Sequence, residues 1–184
     1  MRAAVLGVHL DPCAVTPYTT VKRFLDGGIS ARHAIVDGGN VRVYWANSFF
    51  SVADAEYNKN CVRELRSKGY HVFIPQASAS NRRLNIRRAE IFARDEGALR
   101  KADVLVACID QETIDSGVAC EIGIAYALGI PIVGLLTDLR WRRRGEGRIY
   151  KNPFVLGCIG VRGRVVHSLK EVMRFLASRG VRSS

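Results

Sequence analysis

Two unbroken apolar runs restrict the fold more than anything else in the chain: Val104-Leu105-Val106-Ala107-Cys108-Ile109 and Pro131-Ile132-Val133-Gly134-Leu135-Leu136. A strand with one face in water alternates apolar and polar residues, whereas a run without alternation needs cover on both faces. Between the two lies Ser116 to Leu128, too long for a strand and closed by Gly129, a residue suited to the left-handed position after a helix. The same alternation extends in both directions. Val41-Arg42-Val43-Tyr44-Trp45 reads as a first strand, and residues 52 to 68 as a helix ending at Gly69. His71-Val72-Phe73-Ile74 reads as a second strand stopped by Pro75. Residues 84 to 100 form a charged amphipathic helix, with Ile86, Ala89, Ile91 and Ala93 among its apolar positions. Val165-Val166 leads into a last helix begun by Ser168, with Glu171 at capping-box spacing.

Strand and helix in this order predict an α/β fold: a doubly wound, flavodoxin- or Rossmann-like parallel sheet of about five strands with helices on both faces. Ligands of such sheets bind beyond the carboxyl ends of the strands. Tyr44, Gln76, residues 109 to 115, and Thr137-Asp138 lie at or just after strand ends, so the polar residues gather on one rim.

A chain of 184 residues holds one domain with a full core and is short for two. Residues 1 to 40, punctuated by Pro12, Pro17, Gly27-Gly28 and Gly38-Gly39, stand outside the alternation. They are expected to form an extension of unassigned role ahead of a main domain at 41 to 184, either adding an edge strand and a short helix near residues 19 to 26 or remaining partly mobile. No apolar run approaches the roughly 20 residues that span a bilayer. The opening Met1-Arg2-Ala3-Ala4-Val5-Leu6-Gly7-Val8-His9-Leu10 is broken by Asp11 and Pro12 too early for a signal peptide, so a cytoplasmic location is expected.

Cys13, Cys61, Cys108, Cys120 and Cys158 are scattered and odd in number, which speaks for reduced thiols over disulfides or zinc. His9, His33, His71 and His167 lie far apart without ligating neighbours, and neither a G-x-x-x-x-G-K-S/T nor a G-x-G-x-x-G stretch occurs. No metal and no cofactor are therefore expected. The net charge of +11 attracts phosphates, nucleic acid or anionic surfaces without conferring specificity. Its densest cluster, Arg140-Trp141-Arg142-Arg143-Arg144 with Arg148, reads as a solvated loop, with phosphate or nucleic-acid contact as the alternative.

The helix from Ser116 carries the main chemical candidate. Glu121 follows Val118, Ala119 and Cys120 and precedes Ile122, Ile124 and Ala125, so its helix has little other polarity. A carboxylate there is paired, catalytic, or on a narrow exposed edge. Asp115 stands at the N-cap position, and Gly117, one turn before Glu121, removes a side chain where a ligand would approach the helix start.

From Val43 to about Gly157 the chain resembles the nucleoside 2-deoxyribosyltransferases. The matching segments are Val43-Tyr44-Trp45-Ala46-Asn47-Ser48-Phe49-Phe50, Val72-Phe73-Ile74-Pro75-Gln76, and Arg94-Asp95 before Ala102-Asp103-Val104. They continue with Asp115-Ser116-Gly117 through Glu121-Ile122-Gly123-Ile124-Ala125-Tyr126-Ala127-Leu128-Gly129, and close with Asn152-Pro153-Phe154. The D-x-G-x-x-x-E-x-G-x-A stretch is the most specific of them.

The resemblance implies a double displacement on 2′-deoxynucleosides and free nucleobases. Glu121 attacks the anomeric carbon, the base leaves, and an incoming base attacks the covalent 2-deoxyribosyl-enzyme from the other face, so that configuration is retained. Asp95 aligns with the position that passes a proton to and from the base, against a plain reading as a solvated charge. Asp115 matches the sugar-binding aspartate, a role compatible with capping. Tyr44 matches the tyrosine that orients the nucleophile, against a core aromatic. Phe50 walls the base or packs in the core, and Gln76 offers its amide to the base edge or simply makes a turn. Asn152 and Phe154 correspond to a loop that reaches a neighbouring subunit's site, which implies a homo-oligomer with shared sites, against an ordinary loop. The tail Arg179-Gly180-Val181-Arg182-Ser183-Ser184 offers no match to the chain-end residue that joins the site in shorter relatives.

Two other functions compete. Relatives that hydrolyse deoxynucleoside 5′-monophosphates share the fold and the nucleophile but cradle phosphate with a Gly- and Ser-rich turn after the first strand. Here that turn is Ala46-Asn47-Ser48-Phe49-Phe50, bulky and without paired glycines, which favours transfer. A non-catalytic nucleotide-binding module is the third reading, disfavoured by the joint presence of Glu121, Asp115, Asp95 and Tyr44. Neither a membrane nor nucleic acid is expected as a partner.

Overall fold

A computed structural model describes residues 41–77, 87–139 and 151–178. Five strands, β1 (Arg42–Ala46), β2 (His71–Phe73), β3 (Val104–Cys108), β4 (Ile132–Leu135) and β5 (Gly163–Val166), form one sheet in the order β2-β1-β3-β4-β5. All pairings are parallel, with Tyr44 opposite Leu105 and Phe73, and Val106 opposite Val133. The connections are α1 (Val52–Ser67), α2 (Arg88–Lys101), α3 (Ser116–Leu128) and α4 (Pro153–Arg162), and α5 (Leu169–Ser178) follows β5. A short 3-10 turn, Pro75–Ala77, follows β2.

Side chains alternate across the sheet, so each strand feeds two cores. Val43, Trp45, Val106, Val133 and Leu135 pack with Cys61, Val62 and Leu65 of α1 and with Val172, Phe175 and Leu176 of α5. On the opposite face Tyr44, Ala46, Leu105, Ala107 and Ile132 pack with α2, α3 and α4 through Leu99, Ile122 and Ile159. All five residues of β3 are buried, as its apolar run requires. Each fully buried Leu or Ile in these layers contributes about 1.5–3 kcal/mol.

The predicted strands and helices occur, with local differences. β1 and β5 are displaced by one or two residues from their expected limits. Gly69 and Gly129 hold φ of 87° and 74°, the left-handed conformations expected after α1 and α3. Ser168 accepts a hydrogen bond from the Glu171 N–H at 3.2 Å, while the Glu171 carboxylate accepts from the His167 N–H at 2.7 Å. α2 differs more: Ala89 and Ala93 are exposed, Phe92 is 63% exposed, and Leu99 is the buried residue, so its C-terminal half makes the core contact. Ile86, the arginine cluster at 140–148 and the elements expected before residue 41 lie outside the described residues.

α4 occupies a stretch that the sequence reading treated as loop. Asn152 Oδ1 accepts from the Phe154 and Val155 N–H groups at 2.9 and 3.3 Å, and Pro153 takes the first helical position. An Asn-Pro pair at a helix start satisfies a free N–H and presets φ. The apolar Val155-Leu156-Gly157-Cys158-Ile159 that follows gives no clear helical period by eye, yet Cys158 and Ile159 are buried against the sheet. Among the described residues no helix is long and apolar enough to cross a membrane.

Candidate active site

β1 and β3 are neighbours, and their following helices α1 and α3 leave on opposite faces of the sheet. Such a switch point opens a crevice at the carboxyl rim. Residues 47–51 form one bank and residues 109–115 the other. Tyr44 lies two residues before the end of β1, directed to the α2/α3 face, and is fully buried. Its hydroxyl donates to Glu121 Oε1 at 2.6 Å, which joins two residues 77 positions apart in the chain.

Glu121 is half-buried on α3, above Tyr44. Burial pushes its carboxyl up, the Tyr44 hydrogen bond pulls it back, and the charges of Asp95 and Asp115 push it up again, to about 7. The Tyr44 hydroxyl is pushed well above its ordinary range, by burial first and then by the Glu121 charge, so it stays protonated and remains a donor. Asp95, half-buried on α2, is raised by burial and held back by Arg94, whose Nε and Nη2 both lie 2.8 Å from Asp95 Oδ1.

Asp115 caps α3, its Oδ1 accepting from the N–H groups of Gly117 and Val118 at 2.9 and 3.1 Å. A Cβ at position 117 would stand 3.1 Å from that oxygen, so Gly117 leaves room for the cap. Among the described residues Asp115 Oδ2 accepts no hydrogen bond. Asp110, at the end of β3, gathers the far side: it accepts from the Thr137 hydroxyl at 2.5 Å and the Asp138 N–H at 2.9 Å. Lys151 Nζ reaches the Asp110 carbonyl oxygen at 3.1 Å.

The structure thus brings Tyr44, Glu121, Asp95 and Asp115 into one electrostatic group. The other predicted residues stand outside that group. Phe50 is 80% exposed and stacks on Phe49 with ring centroids 4.9 Å apart, neither core nor closed wall. Gln76 uses both ends of its amide inside the protein, accepting from Asn58 Nδ2 at 3.0 Å and donating to the Ala55 carbonyl at 3.2 Å. Asn152 caps its own helix, and Phe154 is 80% exposed. An open cleft of about 470 Å³ lies at the amino ends of β1 and β2, beside Arg42, Arg66, Tyr70, His71 and Lys101, and no predicted site residue lines it.

Asn58 is the residue the sequence reading missed. It is fully buried, and its amide meets Trp45, Asn47, Ser48 and Gln76. A signal was present: Asn58, Cys61, Val62 and Leu65 stand at i, i+3, i+4 and i+7, one buried helical face with a single polar member. Among the described residues no cluster of His, Cys, Asp or Glu has the makings of a metal site, and Cys61, Cys108, Cys120 and Cys158 are free thiols.

Residues 43–173 match the family described as nucleoside 2-deoxyribosyltransferase. A conserved protein from Enterococcus faecalis V583 is 32% identical and superposes with a TM-score of 0.66, over 77% of this chain and 99% of its own. The fold is also that of a 2-deoxyribosyltransferase from Bacillus psychrosaccharolyticus, 20% identical with a TM-score of 0.58 over 78% of this chain and 99% of its own. A 2-desoxiribosyltransferase from Leishmania mexicana is 19% identical, with a TM-score of 0.57 over 75% of this chain and 97% of its own. No curated protein matches the chain.

Proposed function

This chain belongs to the nucleoside 2-deoxyribosyltransferase family, and from that premise we propose that it transfers 2-deoxyribose between nucleobases with Glu121 as the nucleophile. The observation that carries the reading is the 2.6 Å hydrogen bond from Tyr44 to Glu121. A phenol held by the sheet fixes one carboxylate oxygen and leaves the other to meet the sugar.

In the first half-reaction Glu121 forms a bond to the anomeric carbon as the C–N bond to the base breaks. The bonding pair goes to the base nitrogen, and a proton from Asp95 neutralises it. In the second half-reaction a new base attacks the same carbon, its N–H proton returns to Asp95, and Glu121 leaves as carboxylate. Two inversions restore the starting configuration. The upward shift of Asp95 supports its role as the acid. Asp115 Oδ2 is the acceptor for a deoxyribose hydroxyl, while Oδ1 keeps the helix cap. Burial of Glu121 favours the step further, because charge developing on the sugar ring is neutralised more effectively by a nearby carboxylate in a dry site. An oligomer is supported by the exposed Phe154, whose ring is available to a neighbouring copy.

Incubating the protein with deoxyinosine or thymidine, with and without adenine, tests the reading. Deoxyadenosine formed only when adenine is present is the expected result. Free base released at the same rate without an acceptor means hydrolysis, and no turnover of nucleosides rejects the transferase assignment.

A further inference from the structure

The turn at residues 47–51 has a support that the catalytic group does not use. Asn58 lies on α1, on the face of the sheet opposite Glu121, with none of its surface exposed. Its Oδ1 accepts from Trp45 Nε1 at 2.9 Å and from Asn47 Nδ2 at 2.8 Å. Its Nδ2 donates to the Ser48 carbonyl at 2.9 Å and to Gln76 Oε1 at 3.0 Å. A side-chain amide offers two donors and two acceptor lone pairs, and here all four are used. The partners are Trp45 near the end of β1, two successive residues of the bank that follows it, and the segment after β2. Gln76 passes the connection on to the Ala55 carbonyl, back on α1. The bank so anchored carries Phe49 and Phe50, whose ring centroids lie 4.9 Å apart.

We infer that Asn58 is a positioning residue: through Asn47, Ser48 and Gln76 it holds the 47–51 turn as the wall against which the base is placed. It thereby governs how tightly different bases bind, a role that rests on the transferase reading above. Glu121, Asp95 and Asp115 sit on α3, on α2 and at the N-cap of α3, and among the described residues they share no hydrogen bond with this strut. Loosening it moves the base wall and leaves the sugar chemistry in place. Gln76 serves the strut with both ends of its amide, so in this chain its contribution to base recognition is indirect.

The experiment is steady-state kinetics on the full chain with one purine and one pyrimidine deoxynucleoside, comparing wild type with Asn47→Ala and Asn58→Asp. Asn47→Ala removes one donor from a half-buried site and spares the buried amide. Asn58→Asp keeps both acceptor contacts and loses both donations. The expected result is a rise in KM of about tenfold with kcat changed by less than about threefold, and a changed purine-to-pyrimidine ratio. A purely structural role lowers the amount of active enzyme, hence the apparent kcat, and leaves KM where it was. Either that pattern, or unchanged KM and ratio in folded Asn47→Ala, overturns the inference. If Asn58→Asp does not fold, Asn47→Ala decides alone. An inactive wild type overturns the transferase reading and this inference together, whereas an active wild type with indifferent variants overturns this inference only.

Discussion

Tyr44 and Trp45 are neighbours in one strand, and each sends a polar tip through an apolar core to a polar partner, on opposite sides of the sheet. Trp45 meets Asn58, a neutral amide whose four hydrogen-bonding capacities are all met. Tyr44 meets Glu121, a carboxylate that accepts the tyrosine hydroxyl and has two like charges nearby. A fully satisfied neutral group in a core is nearly free of penalty and fixes geometry. A partly satisfied carboxylate is held in a costly state, and its protonation is displaced as a result. One face of the strand is arranged for position and the other for reactivity.

The difference breaks most sharply at Glu121. Glu121→Gln keeps the shape and the Tyr44 contact but removes the nucleophile, and deoxyribosyl transfer should fall at least about a thousandfold. Transfer within tenfold of wild type would remove Glu121 from the chemistry. On the other face, Asn58→Leu conserves volume but strands the Trp45 indole, the Asn47 amide and the Ser48 carbonyl. A destabilisation of about 3 kcal/mol is expected, read as a lower midpoint in urea at constant slope. A midpoint equal to wild type would show that the amide hub carries no stability.

Tyr44→Phe sharpens the contrast within the reactive face. The ring still fills its place, so stability should change little, while kcat/KM should fall about 10- to 100-fold. The lost hydrogen bond had favoured the ionised carboxyl, so the acidic limb of the pH profile should move to higher pH. A limb that moves down would reverse the assigned role of Tyr44.

The smallest effect concerns stability at Glu121 itself. Its folded carboxyl titrates near 7 against an ordinary value of 4.5, so the fold favours the protonated form. That contribution is complete below pH 4.5 and is lost as pH rises through 7. Glu121→Gln should therefore be more stable than wild type at pH 8, on the order of 2 kcal/mol, with the two converging below about pH 4.5. Thermal melts at pH 4 and pH 8 measure this, and an equal difference at both would show that charge is not its cause.

Much of this molecule is legible before any folding is considered. Val104 to Cys108 has no polar residue to place on a wet face, so its burial on both sides follows from composition alone. Asp115 caps α3 because a short carboxylate before a helical run has free N–H groups within reach, and Gly129 and Gly69 end their helices because they alone enter the left-handed region at no cost. These are local effects, decided within a few residues. α4 was missed although Asn152 and Pro153 announced its start, because Val155 to Ile159 is apolar at nearly every position and shows no single face.

Pairings across the chain are another matter. Gln76 had the same sequence context whether its amide faced a base or Asn58, and only the packing of α1 against the segment after β2 turned it inward. Phe50 could equally wall a base or pack in the core by its sequence context, yet in the single chain it stands in solvent. Glu121 was a lone carboxylate on an apolar helix until the sheet order set β1 beside β3 and carried Tyr44 beneath it. Its identity as a candidate came from residue type and neighbours. Its hydrogen bond, its raised proton affinity and its company of Asp95 and Asp115 arise from distances between segments far apart in the chain, which no local pattern encodes.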